Sequence, residues 1–312
     1  MANCLVTGGA GFIGSHLVAR LVADGHAVRV LDNLSSGKEA NLTPVAGGIE
    51  FIRGDLRDAV ICDRACESME LVFHQAALPS VPKSIADPRA SHDSNVNGTF
   101  NLLLAARQAG CRRVVYAASS SAYGETAVSP KREDILPQPL SPYAVNKLVG
   151  EYYCRAFSEC FGLQTISLRY FNVFGPRQDP ASQYAAAIPA FVTAILRNTP
   201  PTVFGDGGQT RDFTYIDNVT EANLLAGFAP RTAGEVVNVG CGQQVSVNHV
   251  IRRINALLDK RIEPVYADPR PGDVRHSVAD LALAGNLLGY KPVVDFDEGL
   301  RRSIAWYAEH LG

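Results

Sequence analysis

No pair of cysteines in the 312-residue sequence has the Cys-x-x-Cys spacing, and the seven thiols, at 4, 62, 66, 111, 154, 160 and 241, are odd in number and scattered. A disulfide framework and a zinc site both lose their usual spacing signals, so no metal is expected. The thiols are expected to be reduced and mostly buried, as in a cytosol. A surplus of charge is also missing. With a formal net charge of −2 there is no basic field for a nucleic-acid backbone or an anionic membrane, so neither is expected as a partner. No apolar run approaches a membrane span, and no basic stretch followed by an apolar one marks the start as a leader. Repeats and low-complexity tracts are absent as well. A cytoplasmic globular protein is the expectation.

What the sequence does contain is alternation. Short apolar bursts at 3–6, 27–31, 49–52, 71–74, 113–118 and 165–170 are bounded by Gly, Asp or Asn, as buried parallel strands are. Between them lie amphipathic stretches such as 13–24, 99–109 and 144–160. The order is β-α-β-α, which predicts an α/β fold with a doubly wound parallel sheet. After about residue 175, Pro176, Pro180, Pro189, Pro200, Pro201 and Pro230 break the chain into shorter pieces. That change predicts a sheet domain over 1–175 and a smaller α/β lobe over 176–312, with the chain crossing back to the first domain. Residues 125–142, rich in Pro, Ser and charge, read as a surface loop.

The first strand runs directly into Thr7-Gly8-Gly9-Ala10-Gly11-Phe12-Ile13-Gly14, which opens a helix. Glycines there permit a tight turn, close approach of a pyrophosphate and close helix packing. The second strand ends in Asp32, where a carboxylate can accept from the adenosine ribose hydroxyls. A carboxylate would repel a 2′-phosphate, so NAD is expected rather than NADP.

Tyr143 and Lys147 stand one helical turn apart in Ser141-Pro142-Tyr143-Ala144-Val145-Asn146-Lys147. A phenol is a poor base at neutral pH, and a cation on the same helix face would lower its pKa. In Ala118-Ser119-Ser120-Ser121-Ala122-Tyr123-Gly124, hydroxyls at a strand end can pass a proton between a substrate and that phenol.

Taken together, the Gly8-x-x-Gly11-x-x-Gly14 loop, the serine run and Tyr143-x-x-x-Lys147 resemble the extended short-chain dehydrogenases/reductases, and within them the NAD-dependent nucleotide-sugar 4-epimerases. The resemblance extends over nearly the whole chain, through Gly54-Asp55-Leu56-Arg57-Asp58, His74-Gln75-Ala76-Ala77, Asn95-Val96-Asn97-Gly98-Thr99, the stretch from Arg169 to Arg177, Gly205-Asp206-Gly207, Arg211-Asp212-Phe213 and Arg270-Pro271-Gly272-Asp273. It implies a Rossmann-type sheet, NAD as cofactor, a UDP-sugar as substrate and a homodimer built on helices near 92–109 and 143–160.

It also implies roles. Ser119, Ser120, Tyr143 and Lys147 are the expected catalytic set, Ser119 and Ser120 being alternative relays and Lys147 holding the nicotinamide ribose. Gly8, Gly11, Phe12, Ile13, Gly14, Asp32, Asn33, Ser36, Gly37, Asp55, Leu56, Gln75, Ala76, Ala77, Tyr170, Phe171 and Val173 are expected around the cofactor. Asn95 either bridges backbone near the cofactor or caps a helix. Around the substrate the expectation is Ser80, Ser120, Tyr143, Asn172, Gln178, Arg211, Arg270, Asp273 and Ser277. Val203 and Phe204 are either a wall for the base or ordinary core.

Two details refine the expected reaction. Related dehydratases carry acidic residues directly after the catalytic Ser/Thr, and here Ser120 and Ser121 stand there, which favours oxidation and re-reduction over loss of water. Serine at 277, beside the sugar's carbon 2 by resemblance, leaves room for an N-acetyl group, so UDP-N-acetylglucosamine and UDP-N-acetylgalactosamine are expected along with UDP-glucose and UDP-galactose. Pro79 replaces a lysine that many UDP-galactose 4-epimerases use on the cofactor, and the chain is short for the family. Rival expectations are an epimerase restricted to non-acetylated sugars, a 4-ketoreductase needing NADPH, against which Asp32 counts, and a non-catalytic NAD-binding protein.

Overall fold

The sheet is built from strands buried on both faces. In the computed structural model, which describes residues 1–180, 187–269 and 274–310, seven parallel strands form it. They are β1 (Asn3–Thr7), β2 (Ala27–Asp32), β3 (Ile49–Arg53), β4 (Leu71–His74), β5 (Arg113–Ser119), β6 (Gln164–Tyr170) and β7 (Glu235–Val239). Their spatial order is β3-β2-β1-β4-β5-β6-β7. Val6 pairs with Val30 on one side and Phe73 on the other, so β1 is central. Successive residues feed opposite layers, as the strand period of two requires: Cys4, Val6 and Val115 join one core, Leu5 and Val114 the other.

The helices cover both faces. They include α1 (Phe12–Ala23), α2 (Ala59–Cys66), α3 (Gly98–Gln108), α4 (Pro142–Phe161) and α5 (Ile216–Phe228). The start of α4 has a clear local cause: Ser141 Oγ accepts from the Ala144 N–H at 3.2 Å, and Pro142 occupies the first turn, where its missing N–H costs nothing. Gly162, left-handed at φ 71°, ends the helix.

The chain beyond residue 175 does not stay apart from this sheet. β7 pairs with β6 from Glu235↔Ile166 to Val239↔Tyr170. Arg113, fully buried at the start of β5, donates to the carbonyls of Ala226, Gly227 and Ala229 at the C-terminal end of α5 and to Gln164. A cation there satisfies carbonyls that the helix leaves unpaired. The remaining strands are short: Thr202–Phe204 with Val265–Ala267, Thr210–Arg211 with Val245–Ser246, and Thr214–Tyr215 with Val173–Phe174.

Two expectations need correction. The stretch 125–142 is not surface throughout, because Lys131 is buried and its backbone is tied to Val278 and Asp280. Ser80, expected at the substrate, caps the helix Val81–Ala86, accepting from Lys83 N; Val203 takes the second of its two expected places, the core. Of the cysteines, 4, 62, 66, 111 and 154 are buried, 241 is partly so, and 160 is exposed. Among the described residues no helix is long and apolar enough to cross a membrane, and no cluster could hold a metal.

Candidate active site

A cleft of about 660 Å³ opens at the C-terminal ends of β1 and β4, where the strand order reverses and chains leave the sheet in opposite directions. Behind the cleft lies a buried relay of hydrogen bonds. His74 Nδ1 lies 2.8 Å from Thr7 Oγ1 and Nε2 lies 2.9 Å from Thr99 Oγ1, whose hydroxyl donates to Asn95 O. With that hydroxyl committed, Nε2 carries the proton and Nδ1 accepts from Thr7. Burial, with the charge of Lys147, pushes His74 down to about 3, so the ring stays neutral and serves as a tie between strands.

The turn after β1 is tight because nothing larger than glycine fits. Gly8 has φ +68°, and a Cβ on it would lie 2.6 Å from Ala76 N. Asp32 Oδ2 accepts from Ala10 N at 2.9 Å and Oδ1 from Leu34 N at 2.8 Å, which holds the carboxylate at the rim of this turn. Burial raises its pKa while the two N–H groups oppose the rise. Gly37 is pressed against the same carboxylate, a Cβ there being 3.0 Å from Oδ2. Asp55 is more heavily engaged than its motif suggests: it accepts from Arg57 N, Nε and Nη2 and from Asn33 Nδ2. Chiefly through the Arg57 side chain, its carboxyl is held well below the usual range.

The catalytic candidates meet at the other end. Ser119, the last residue of β5, accepts from Ser121 N at 3.2 Å and Ser121 Oγ at 2.8 Å. Burial raises the Tyr143 phenol, and a hydrogen bond with the Ser119 side chain pulls it back. Its backbone N–H donates to Ser84 Oγ. The Lys147 amine is buried, donating to Ala117 O at 2.7 Å and sitting 5.0 Å from the centroid of the Tyr116 ring.

Burial lowers the Lys147 pKa from 10.5 to about 8. Below pH 8 the folded protein therefore carries a penalised cation; between 8 and 10.5 the unfolded chain holds a proton that the folded one has released, so this group's contribution improves as pH rises. Lys147→Met is accordingly expected to raise stability by about 1–2 kcal/mol at pH 7, with the gain shrinking towards pH 10. Urea unfolding of both proteins at several pH values measures this.

One turn further along α4, Glu151 forms a two-pronged ion pair with Arg169, at 2.9 and 2.7 Å, both side chains being almost fully buried. Arg169 also stacks over Tyr123, 4.5 Å from its centroid.

Of the residues singled out from the sequence, Gly8, Gly11, Phe12, Ile13, Gly14, Asp32, Asn33, Ser36, Gly37, Asp55, Leu56, Gln75, Ala76, Ala77, Ser119, Ser120, Tyr143, Tyr170, Phe171, Asn172, Val173, Gln178, Arg211 and Ser277 line the cleft. Asn95 lies behind it, gripping Leu78 N at 2.8 Å and Leu78 O at 3.3 Å. Tyr170 ties Gln75 to Asn223 on α5. Ser80, Val203 and Phe204 are not on the wall. Arg270 and Asp273 lie outside the described residues. Sequence reasoning assigned no place in the site to Ser121, Lys131, Arg177 and Asp179, all of which line the cleft. The cation in Gly175-Pro176-Arg177 was a usable signal, while nothing local marks Lys131 as inward-facing.

Residues 4–240 match the model of the NAD dependent epimerase/dehydratase family. The chain belongs to this family. Among epimerases it resembles, the UDP-glucose 4-epimerase of Mycolicibacterium smegmatis is 39% identical over 307 residues, covering 97% of both chains. The solved UDP-N-acetylglucosamine 4-epimerase from Methanobrevibacter ruminantium M1, in complex with UDP-N-acetylmuramic acid, superposes with TM-score 0.95 at 40% identity over 99% of both chains. The UDP-glucuronic acid 4-epimerase from Bacillus cereus, with UDP-glucuronic acid and NAD, gives 0.92 at 32% identity over 99% of this chain and 100% of that one.

The cleft fits the family's cofactor. Arg177 Nη1 and Gln178 Oε1 are buried without a protein partner, a donor and an acceptor left for a polar ligand. The Gly8–Gly14 turn and the Asp32 carboxylate would hold the pyrophosphate and the adenosine ribose.

Proposed function

We propose that this epimerase/dehydratase family protein is a UDP-sugar 4-epimerase that interconverts UDP-N-acetylglucosamine and UDP-N-acetylgalactosamine, and UDP-glucose and UDP-galactose, through a 4-keto sugar. The observation that carries the reading is the phenol of Tyr143 with Ser119 on the wall of the cleft that the Gly8–Gly14 turn also lines. NAD, when bound, accepts a hydride from the sugar and returns it to the opposite face. Everything else falls to the chain's own groups.

Tyr143 takes the proton of the sugar 4-hydroxyl, directly or through Ser119, and gives it back after the keto sugar has turned. Because Ser121 donates to Ser119 Oγ, the Ser119 proton is directed onward to the phenol oxygen. Lys147 fixes the end of β5 through Ala117 O, and its other two donors are available to the nicotinamide ribose. Ser120 and Ser121 supply no carboxylate for removing water, which favours epimerisation over dehydration. Arg211 and Arg270 would grip the diphosphate and Asp273 the ribose, in the region 176–312 assigned to the UDP-sugar. The small Ser277 leaves room for an acetamido group.

Partly exposed Phe100 on α3 with Val145, Tyr152 and Phe161 on α4 supports a homodimer through these helices. Incubating the NAD-loaded protein with each UDP-sugar and following anomeric proton signals tests the reading. Turnover of UDP-galactose with UDP-N-acetylgalactosamine untouched would remove the N-acetyl assignment.

A further inference from the structure

Lys131 is the buried cation of the cleft that none of these roles uses. The residue lines the cleft with Ser277, Phe171 and Asn172, yet it is only 2% exposed. The backbone explains its position. Lys131 N donates to Val278 O at 2.8 Å, and Lys131 O accepts from Asp280 N and Asn238 Nδ2, both at 2.9 Å, making a parallel bridge to Ala279. Paired residues put their side chains on one face, so Lys131 and Ala279 face the same way. Ala279 packs with Phe171 and Tyr123, which also form the cleft wall.

An ammonium has three donors, and Nζ donates to Thr126 O at 2.7 Å. Among the described residues no second acceptor and no ion pair answers it; only the charge of Glu125 favours it from a distance, against burial. The backbone bonds already anchor this stretch, so holding the Thr126 carbonyl does not account for a buried cation. Two unused donors in such a place are costly unless a ligand engages them.

We propose that Lys131 is a specificity-determining donor of the sugar subsite, receiving a carbonyl or carboxylate oxygen carried by the hexose. The inference rests on the UDP-sugar reading above. Such oxygens carry more negative charge than hydroxyls and gain more from an ammonium.

The test compares wild type, Lys131→Met and Lys131→Arg, each as the full NAD-loaded chain, on UDP-N-acetylglucosamine, UDP-glucuronate and UDP-glucose. The expected result for Lys131→Met is a loss of about 10- to 100-fold in kcat/KM, mainly in KM, on a sugar bearing the oxygen. UDP-glucose should change by less than about threefold, and arginine should restore part of the loss. Whether the acetamido or the uronate arm falls identifies the group received. A uniform change over all three sugars, no change on any, or a wild type that accepts UDP-glucose alone overturns the inference. A wild type that holds NAD and turns over none of the three overturns the UDP-sugar reading itself, and this inference with it. Melting temperatures of the variants separate a folding defect from a change of specificity.

Discussion

Tyr143→Phe is expected to lower epimerisation about 10³-fold, the loss characteristic of removing a positioned acid–base group. One oxygen atom is removed. The backbone contacts that place this residue stay, since its N–H donates to Ser84 Oγ and α4 is capped by Ser141. Bound NAD, measured by absorbance after denaturation, should therefore remain near the wild-type level while the anomeric proton signals of the substrate hardly move. A variant that keeps most of its turnover would displace the phenol from the proposed mechanism.

Gly14→Ala is expected to abolish retained NAD and to destabilise the fold by about 2 kcal/mol or more. A Cβ at this position would run into the Gly8 carbonyl, lying 2.8 Å from its carbon and 2.8 Å from Gly9 Cα. Those atoms are backbone of the turn that carries the first strand into α1. They cannot move away like a side chain, so relief requires the turn to open, and the turn is the proposed pyrophosphate cradle. Denaturant unfolding and the cofactor content of purified protein measure the two effects. By contrast, Gly25→Ala meets nothing within 4 Å and tests only backbone strain at φ +81°.

The sheet was legible in the sequence because its strands are buried on both faces and read as apolar bursts between turn residues. β7 was harder to see. Its Val236, Val237 and Val239 are interrupted by Asn238, fully buried and bonded to Tyr123 Oη, Lys131 O and the Glu133 carboxylate. A polar residue satisfied by distant segments erases the pattern that identifies a strand. Within the cleft, glycines and serines stood out through local spacing. Lys131 did not, because its position follows from long-range bridging, and the Arg57 side chain on Asp55 was not foretold by the motif that singled out the acid. Lys147 was noticed for its spacing, but its environment comes from β5, which no helical pattern foretells.

The return of β7 to the edge of β6 bears on how the molecule could be taken apart. A fragment ending at residue 175 would present the whole edge of Gln164–Tyr170 to other chains, an invitation to aggregate. It would also strip the buried Arg113 of the carbonyls of Ala226, Gly227 and Ala229 that stand in for a counterion. Splitting the gene at that junction should therefore yield two insoluble halves rather than a cofactor module and a sugar module, and soluble material should appear only when both are made together.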